Sequence, residues 1–454
     1  MAEQQTLVAV GDDDAALERE TMRKVSLRLL PFLFALYVLN FIDRSNVAIA
    51  GLQMNRDLQF SSSAFGFGSG IFFIGYALFE VPSNLVLARV GARRWIARIM
   101  ISWGILAAAM MLIRTPIQFY IVRFLLGVAE AGFLPGVVFY LTKWFPTNQR
   151  ARAQSRFFIA LPASGILSGF LGGYLLGLDG MKGLAGWQWL FLLEGLPSVL
   201  IGFVVLWYLT DEPKDAKWLD DRQRRWLTNR MELDHQASGP LHRMSALDAL
   251  KLPVVWILAL PYFLMLTAGY GYTFWVPTVV RDTLHTTDSE TGLVTAAIAT
   301  VSMTFMLLVA ASSDRRNERI NHSALGGVLI AVGFAGAALL PVPVLRIVFL
   351  GMVIIGCNAL LSPFWCLPTK ILGGEAAAVG IALINSLGNI GGFIGPYAIG
   401  FLKDVTGTNN GSFLGLAACG VGVTVFCLSL RRSVLGTSGR KPAPTAVQDL
   451  LVPS

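Results

Sequence analysis

Charged residues, histidine and cysteine are scarce in this sequence of 454 residues. Only 14% of the residues are charged, against roughly 25% in a typical soluble domain, and histidine and cysteine occur four times each. The cysteines lie within apolar runs and lack the spacing of metal ligands, which favours small buried residues over a metal site. They are Cys357, Cys366, Cys419 and Cys427.

Motifs for nucleotide, cofactor or acyl chemistry are also missing. The sequence contains no phosphate-binding loop, dinucleotide fingerprint or nucleophile elbow. Gly66-Phe67-Gly68 lies inside an apolar run, where it cannot cradle a phosphate. The sequence therefore predicts neither an enzyme nor a bound cofactor or metal. Because the sequence has no motif for ATP hydrolysis, any accumulation of a solute by this protein would have to be driven by an ion gradient.

Long apolar runs dominate the chain, since 54% of its residues are hydrophobic. Runs near the roughly 20 residues that a helix needs to cross a bilayer recur along the whole length, whereas a soluble α-helical protein would have shorter ones. The sequence therefore predicts an all-α integral membrane protein with twelve transmembrane helices. The predicted spans are 27–49, 64–87, 95–113, 117–140, 156–178, 187–209, 254–279, 291–311, 323–341, 344–367, 377–402 and 411–430.

A polar segment, 211–253, separates the first six spans from the last six. It holds many acidic and basic residues, which predicts a water-exposed cytoplasmic loop with a short amphipathic helix over 218–231. Six spans on either side of such a loop predict two pseudo-symmetric halves, 27–210 and 254–430, a layout common among secondary transporters. The predicted cytosolic tails are 1–26 and 431–454.

Lysine and arginine are distributed unevenly between the two predicted sides of the membrane. The side with both termini and the central loop carries 28 of the 36 basic residues, and the other side carries six. Because basic loops accumulate on the cytoplasmic side, we expect both termini to lie in the cytoplasm. The net charge of +8 then reflects topology and gives no reason to expect nucleic-acid binding.

Four ionisable residues interrupt the apolar spans at two places. Asp43 and Arg44 lie in the first span, and Arg123 and Glu130 lie in the fourth. Seven residues are close to two helical turns, so Arg123 and Glu130 leave one face about 10 Å apart. A charge inside the membrane costs from roughly 3 kcal/mol upward and normally faces a bundle interior or an aqueous cavity. These residues therefore indicate an ion or substrate path, with a merely neutralising ion pair as the alternative for Asp43 and Arg44.

Uncharged polar side chains in the spans supply further candidates for ligand binding. Asn385 and Asn389 lie one turn apart on one face, and an amide can donate and accept, which suits ligands with hydroxyl groups. Tyr76 in the second span and Ser362 and Trp365 in the tenth complete the set. Hydrogen bonding between helices is the alternative explanation for these polar residues.

Small residues recur at four-residue spacing in the fifth and eleventh spans. Such residues let helices approach closely in lipid, which predicts close-packed helices that rock against their partners or, alternatively, serve packing alone. The residues are Gly165, Gly169 and Gly173 in the fifth span, and Gly388, Gly392 and Pro396 in the eleventh.

Six short motifs carry a resemblance to a known family. They are FIDRSN at 41–46, EVPSN at 80–84, GARRW at 91–95, RFLLGVAEAGF at 123–133, KWFP at 143–146 and NSLGNIGG at 385–392. Through them the chain resembles the major facilitator superfamily over nearly its whole length and, within it, the anion:cation symporter family. The stretch GLAGWQWLFLLEG at 183–195 is similar to the bacterial branch for tartrate, phthalate and related carboxylates.

The resemblance implies import of a tartrate-, phthalate- or sugar-acid-like carboxylate with protons, by alternating access in a monomer of the bacterial inner membrane. An arginine fork binds a carboxylate in bidentate fashion, so Arg44 and Arg123 form the predicted anion clamp. Burial and a nearby arginine shift the pKa of a carboxylate in opposite directions, so a conformational change can switch protonation. Asp43 and Glu130 are the predicted proton carriers. The alternatives are an anion exchanger, a sodium-coupled carrier, or a non-transporting nutrient receptor with the same fold.

Overall fold

The computed structural model describes residues 2–237, 253–316, 318–372 and 374–436. Within these ranges, the side chains at 2–13, 151, 235–237, 253–254, 362, 366, 368–379, 382 and 431–436 lie outside the description. The last part of the predicted central loop and most of the predicted C-terminal tail therefore lie outside the described residues.

The described chain consists of α-helices with short connections and contains no β-strand. The N-terminal helices are α1 (Ala2–Asp57), α2 (Ser62–Val90), α3 (Ala92–Ala109), α4 (Pro116–Glu130), α5 (Phe133–Trp144), α6 (Thr147–Phe158), α7 (Ala160–Leu176), α8 (Gly186–Tyr208) and α9 (Asp221–Ala237). The remaining helices are α10 (Pro253–Leu284), α11 (Asp288–Arg316), α12 (Ile320–Leu339), α13 (Pro343–Leu372), α14 (Gly374–Thr406) and α15 (Asn410–Gly436).

Eleven helical segments of the described chain are long and apolar enough to cross a membrane. They coincide with eleven of the twelve predicted spans. The remaining predicted span, 377–402, falls within α14. The all-α membrane architecture is therefore confirmed. The first helix is longer than predicted, because α1 begins at Ala2 and joins the N-terminal segment to the first span without a break.

Three helix boundaries correct the sequence-based expectation. The fourth span is not one helix, because the chain breaks between α4 and α5 at Ala131 and Gly132. The fifth span is divided in the same way at Ile159, between α6 and α7. The amphipathic helix expected over 218–231 begins later and runs further, as α9. Hydropathy measures the apolar length of a segment and carries little information about the backbone path within it.

Burial in this protein is reversed relative to a soluble one. Arg123 is 1% exposed and Glu130 is fully buried, whereas Trp207 is 81% exposed and Leu200 is 65% exposed. Large apolar side chains on the outside suit contact with lipid tails, and buried ionisable groups need partners or a cavity inside the bundle. The functional groups are therefore expected inside the helix bundle.

The chain divides into two compact units that do not coincide with the two halves of the sequence. The first unit comprises Met1–His242, Thr273–Thr300 and Pro396–Val405. The second comprises Arg243–Tyr272, Val301–Gly395 and Thr406–Ser454. The assignment of 27–210 and 254–430 to pseudo-symmetric halves stays a prediction.

Glycines bring helices of the first unit into close contact. A Cβ atom on Gly169 would lie 2.9 Å from the backbone nitrogen of Ala296, and one on Gly173 would lie 3.0 Å from the Cα of Gly292. In the second unit, a Cβ atom on Gly391 would lie 2.5 Å from the carbonyl oxygen of Phe263. These distances leave no room for a side chain, so the small residues of these helices serve tight packing.

Segments from the second half of the sequence complete one edge of the first unit. The Asp404 carboxylate accepts hydrogen bonds from the backbone N–H groups of Ser62 and Ser63, at 3.1 and 2.7 Å. These groups open α2 and have no partner within the helix, so the carboxylate caps it. At the same edge, Gln53 donates from Nε2 to Asp288 Oδ2 at 2.8 Å.

Candidate functional site

An ion pair between α1 and α4 forms the centre of the candidate site. Arg44 donates from Nε to Oε1 of Glu130 at 3.0 Å, and its Nη2 contacts the same oxygen. Glu130 is fully buried, whereas the Arg44 side chain is 12% exposed. Both arginine nitrogens converge on one carboxylate oxygen, and Glu130 Oε2 accepts no hydrogen bond from the described residues.

Arg123 lies two turns before Glu130 on α4 and faces the same interior. Its guanidinium donates to the backbone carbonyls of Gly68 and Ser69 on α2, at 3.4 and 3.2 Å. Within the described part of the chain, no carboxylate lies within ion-pairing distance of this side chain. Neutral carbonyls satisfy some of its N–H groups but supply no counter-ion, and the charge of Glu130 acts on Arg123 only from beyond ion-pairing distance.

One aromatic ring joins the two arginines. The Cζ atom of Arg44 lies 5.3 Å from the centroid of Phe72, and that of Arg123 lies 4.9 Å from it. Tyr76, one turn further along α2, places its ring 5.1 Å from the Arg44 Cζ. Cation–π contacts of this kind hold guanidinium groups in place without neutralising them. Among the described residues, Glu130 forms an ion pair with Arg44 and no acid pairs with Arg123, so a carboxylate ligand would find a positive charge to balance at Arg123.

The break between α4 and α5 fixes the position of Glu130 at the end of its helix. Gly132 has φ +87°, and the preceding carbonyl, that of Ala131, accepts a hydrogen bond from Ser83 Oγ at 2.6 Å. Trp95 donates in turn from Nε1 to Ser83 Oγ at 3.0 Å. A left-handed conformation favours glycine, and a Cβ atom here would lie 2.3 Å from Ser83 Oγ. The EVPSN motif therefore supplies a clasp for the helix break.

Asp43 contacts a different group of side chains from its neighbour Arg44. Its Oδ2 accepts hydrogen bonds from Trp103 Nε1 on α3 at 2.6 Å and from Ser198 Oγ on α8 at 2.7 Å. Asp43 is 2% exposed, and its Oδ1 accepts no hydrogen bond from the described residues. Adjacent helical residues diverge by about 100°, which explains why the two side chains reach different helices.

Sequence reasoning overlooked two further buried acids. Glu194 lies in α8 and Glu80 in α2, and both are largely buried. Each acid interrupts an apolar span, as Arg123 and Glu130 do, so the same criterion would have found them. Glu194 lies one turn before Ser198 on the helix face that contacts Asp43. Neither of its carboxylate oxygens has a hydrogen-bond partner among the described residues.

In the second unit, polar and aromatic side chains gather around Tyr262. Its hydroxyl donates to Asn385 Oδ1 at 3.4 Å, and its ring lies 4.9 Å from that of Trp365. Asn389 is buried one turn after Asn385. The Ser362 side chain lies outside the described residues. Two of the predicted polar candidates are thus brought together through Tyr262, a residue that sequence reasoning did not select.

Comparisons with known proteins agree with this architecture. Residues 33–396 match the family model of the Major Facilitator Superfamily. A protein of Agrobacterium vitis whose name assigns it to tartrate transport is 44% identical over 428 residues, which are 94% of this chain and 98% of the relative. A quinolone resistance transporter of Acinetobacter baumannii is 40% identical over 390 residues, which are 86% and 90% of the two chains.

A solved structure supports the same assignment at the level of the fold. It is the crystal structure of a bacterial homologue of the human lysosomal transporter Spinster, in an inward-facing and unoccupied conformation. It matches with a TM-score of 0.70 and 19% identity, covering 89% of this chain and 95% of the other. The match of the family model over most of the chain and the two similar relatives lead to one conclusion: the chain belongs to the major facilitator superfamily, a family of membrane transporters and not of enzymes.

Proposed function

We propose that this protein imports a small organic carboxylate together with protons, by alternating access, across the inner membrane of a bacterium. The proposal includes cytoplasmic termini, which rest on the distribution of basic residues, and a functional monomer. The substrate class is a tartrate-like, phthalate-like or sugar-acid-like anion. The relative named for tartrate transport supports this class, because it is similar to nearly the whole chain.

The observation that carries the proposal is the unequal pairing of the two buried arginines. Arg44 has Glu130 as a counter-ion, whereas Arg123 contacts only carbonyls and aromatic rings within the described residues. A buried charge without a counter-ion costs several kcal/mol in protein interiors, roughly as much as the removal of one partner from a buried ion pair. A carboxylate substrate would supply the missing charge to Arg123 and reduce that cost.

Competition for Arg44 would couple the substrate to a proton. When Glu130 is ionised, its Oε1 occupies the guanidinium fork of Arg44. Protonation of Glu130 weakens this pair and leaves Arg44 available to a substrate carboxylate, so that one proton and one anion bind together. Release of the substrate follows in the reverse order. Glu130 loses its proton, pairs with Arg44 again and displaces the substrate carboxylate. Asp43 is the second proposed proton carrier.

Polar side chains of the second unit are the candidates for recognition of substrate hydroxyl groups. Asn385 already accepts from Tyr262, and its amide N–H group adds donor capacity. Asn389 offers an amide, which can donate and accept, and Trp365 offers an indole N–H, which can donate. Ser362 stays a candidate from its position in the sequence.

The test is uptake of radiolabelled tartrate, phthalate and sugar acids into proteoliposomes with an imposed inward proton gradient. We expect accumulation of one carboxylate class that disappears when the proton gradient is collapsed, and counterflow of the same substrate without any gradient. A sodium gradient in place of the proton gradient distinguishes a sodium-coupled carrier. Exchange without accumulation under either gradient would indicate an exchanger, and binding without exchange would indicate a receptor.

Drug export is a second candidate function, and one relative motivates it. The quinolone resistance transporter of Acinetobacter baumannii is nearly as similar to this chain as the tartrate relative. If export is the function, expression of this protein in a susceptible host raises the minimal inhibitory concentration of quinolones, and Arg123→Ala abolishes that effect. Unchanged susceptibility, together with proton-driven uptake of a carboxylate, excludes export as the main activity.

A further inference from the structure

Three buried acids of the first unit, Asp43, Glu130 and Glu194, occupy two different surroundings. Glu130 contacts Arg44, but Asp43 and Glu194 contact no arginine or lysine among the described residues. Asp43 takes its hydrogen bonds from Trp103 and Ser198, both neutral. The ion pair between Arg44 on α1 and Glu130 on α4 therefore does not neutralise the two acids that lie between α1, α3 and α8.

Helical spacing places the two carboxyl groups on facing surfaces. Ser198 contacts Asp43 across the boundary between α1 and α8, and Glu194 lies four residues earlier on the same face of α8. Asn46 lies one turn after Asp43 on α1, beside Glu194. The charge of Asp43 acts on Glu194, and the charge of a third acid, Glu130, acts on Asp43.

Several polar atoms of this cluster lack hydrogen-bond partners within the described residues. They are Asp43 Oδ1, Asn46 Nδ2 and both carboxylate oxygens of Glu194; the Asn46 amide lies close enough to Glu194 to act on its charge but does not meet the geometry of a hydrogen bond. The residues that carry them are 2%, 2% and 6% exposed. Two ionised carboxylates could not remain buried and adjacent without a cation, because the desolvation cost and the repulsion would add. A single proton reduces the charge of the pair from −2 to −1 and turns one acceptor into a donor.

We propose that Asp43 and Glu194 form one proton-binding site and share one proton between them. Glu194 is then a proton-coupling residue, and Trp103 and Ser198 are positioning residues that hold Asp43 Oδ2 and direct Oδ1 toward the shared proton. Glu130 serves the separate role of competing with substrate for Arg44. The proton enters the pair as H⁺ from water on one side and leaves as H⁺ to water on the other, and no other bond changes.

This inference rests on the proposed proton-coupled function, but it has a readout that does not depend on transport. A protonated carboxyl group has its own C=O stretching band in the infrared, which ionisation removes. We expect acid-minus-alkaline difference spectra of the reconstituted protein to show this band in the wild type and to lose it in Glu194→Gln. Asp43→Asn should lose the band over the same pH range, because either variant leaves a single carboxylate without the neighbouring charge that favours binding of the shared proton. Glu130→Gln should leave this band in place.

Transport supplies the second readout. With an imposed gradient of one pH unit, each coupled proton contributes about tenfold to the accumulation ratio, so Glu194→Gln should lose about that factor. Counterflow should persist in this variant, since exchange needs no net proton movement. Glu194→Asp keeps an ionisable group and should retain both the infrared band and part of the accumulation, which separates proton binding from folding.

The outcomes separate this inference from the proposed function. If the wild type accumulates a carboxylate and Glu194→Gln keeps both the band and the full accumulation ratio, the shared-proton site is refuted and the proposed function stands. If the wild type accumulates no carboxylate under any proton gradient, the proposed function fails, whereas loss of the band in Glu194→Gln would still support the carboxyl pair.

Discussion

Two neighbouring residues of α1, Asp43 and Arg44, lie in electrostatic surroundings of opposite character. Arg44 faces a cluster rich in cations, in which Arg123, Phe72 and Glu130 lie around it. Asp43 faces a cluster that contains the acid Glu194, and no cation contacts it within the described residues. Because of this difference, α1 can contribute Arg44 to the proposed anion site and Asp43 to the proposed proton site through separate contacts.

If Arg44 and Arg123 form the proposed anion site, the geometry of their guanidinium groups should matter as well as their charge. We therefore expect Arg123→Lys to cause the largest loss, because lysine is a point donor and cannot reproduce the planar fork. The loss of a buried, hydrogen-bonded charge contact costs roughly 2–5 kcal/mol of binding. Uptake by correctly inserted protein measures it, with Arg114→Lys as a control at an exposed arginine. Near-wild-type affinity in Arg123→Lys would remove this residue from the anion site.

In the proposed function, Asp43 must bind and release a proton, and asparagine replaces it with little change in shape. Asp43→Asn should abolish accumulation driven by a pH gradient, because asparagine cannot release a proton. Accumulation with and without the gradient, paired with counterflow, measures the effect. Asp57→Asn is the matched control, since Asp57 also accepts from a tryptophan, Trp187 Nε1 at 3.1 Å, but lies outside the buried clusters. Undiminished accumulation in Asp43→Asn would place the proton path elsewhere.

Glu130 belongs to the cation-rich face, so its neutralisation should have a smaller effect than that of Asp43. We expect Glu130→Gln to lose gradient-driven accumulation but to keep substrate binding and exchange, because glutamine resembles the protonated acid and leaves Arg44 available. Binding by thermal shift and exchange by counterflow should both survive. If binding is lost together with accumulation, Glu130 contacts the substrate or holds Arg44 in its binding position.

A substitution at the helix break tests how strongly the stability of the protein depends on the backbone geometry that positions Glu130. Gly132→Ala should destabilise the protein by about 1–3 kcal/mol, because alanine must adopt a positive φ and meets Ser83 Oγ. Gly180→Ala is the matched control, since Gly180 has φ +80° and nothing within 4 Å of its would-be Cβ. Thermal unfolding in detergent should show the larger loss for Gly132→Ala. Equal losses would mean that the clasp to Ser83 contributes nothing.

The smallest expected effect concerns the donors to Asp43. Trp103→Phe keeps an aromatic ring but removes one hydrogen bond to Asp43 Oδ2, worth roughly 1.5–3 kcal/mol for a charged acceptor. We expect the pH profile of transport to shift, while the affinity for substrate at the optimal pH changes little. Trp187→Phe is the control, because it removes the corresponding hydrogen bond to the exposed Asp57. A pH profile that coincides with that of the wild type would show that Trp103 does not position the acid.

Much of the architecture could be predicted because hydropathy reports directly on the length of membrane spans. The two arginines and their acids could also be selected from the sequence as candidate functional residues, since charge within an apolar run is costly. Their partners were not, because the pairing of Arg44 with Glu130 and of Asp43 with Trp103 depends on how helices pack. Nothing in the local pattern marks Ala131–Gly132 as a helix break, because both residues also occur inside membrane helices. Glu194 was overlooked within a motif that sequence reasoning used only to recognise relatives.

The cap that Asp404 places on α2 has a consequence for the biosynthesis of this protein. The ribosome delivers Ser62 and Ser63 long before Asp404, which follows them by more than three hundred residues. Until that late segment is inserted, the first two N–H groups of α2 lack their carboxylate, and the loss of such a cap costs about 1 kcal/mol. The first unit therefore cannot reach its final form during translation of its own N-terminal segment. A chain truncated before residue 404 would keep the cap that Ser61 Oγ forms with the Ala64 N–H group, but it would leave the N–H groups of Ser62 and Ser63 without Asp404.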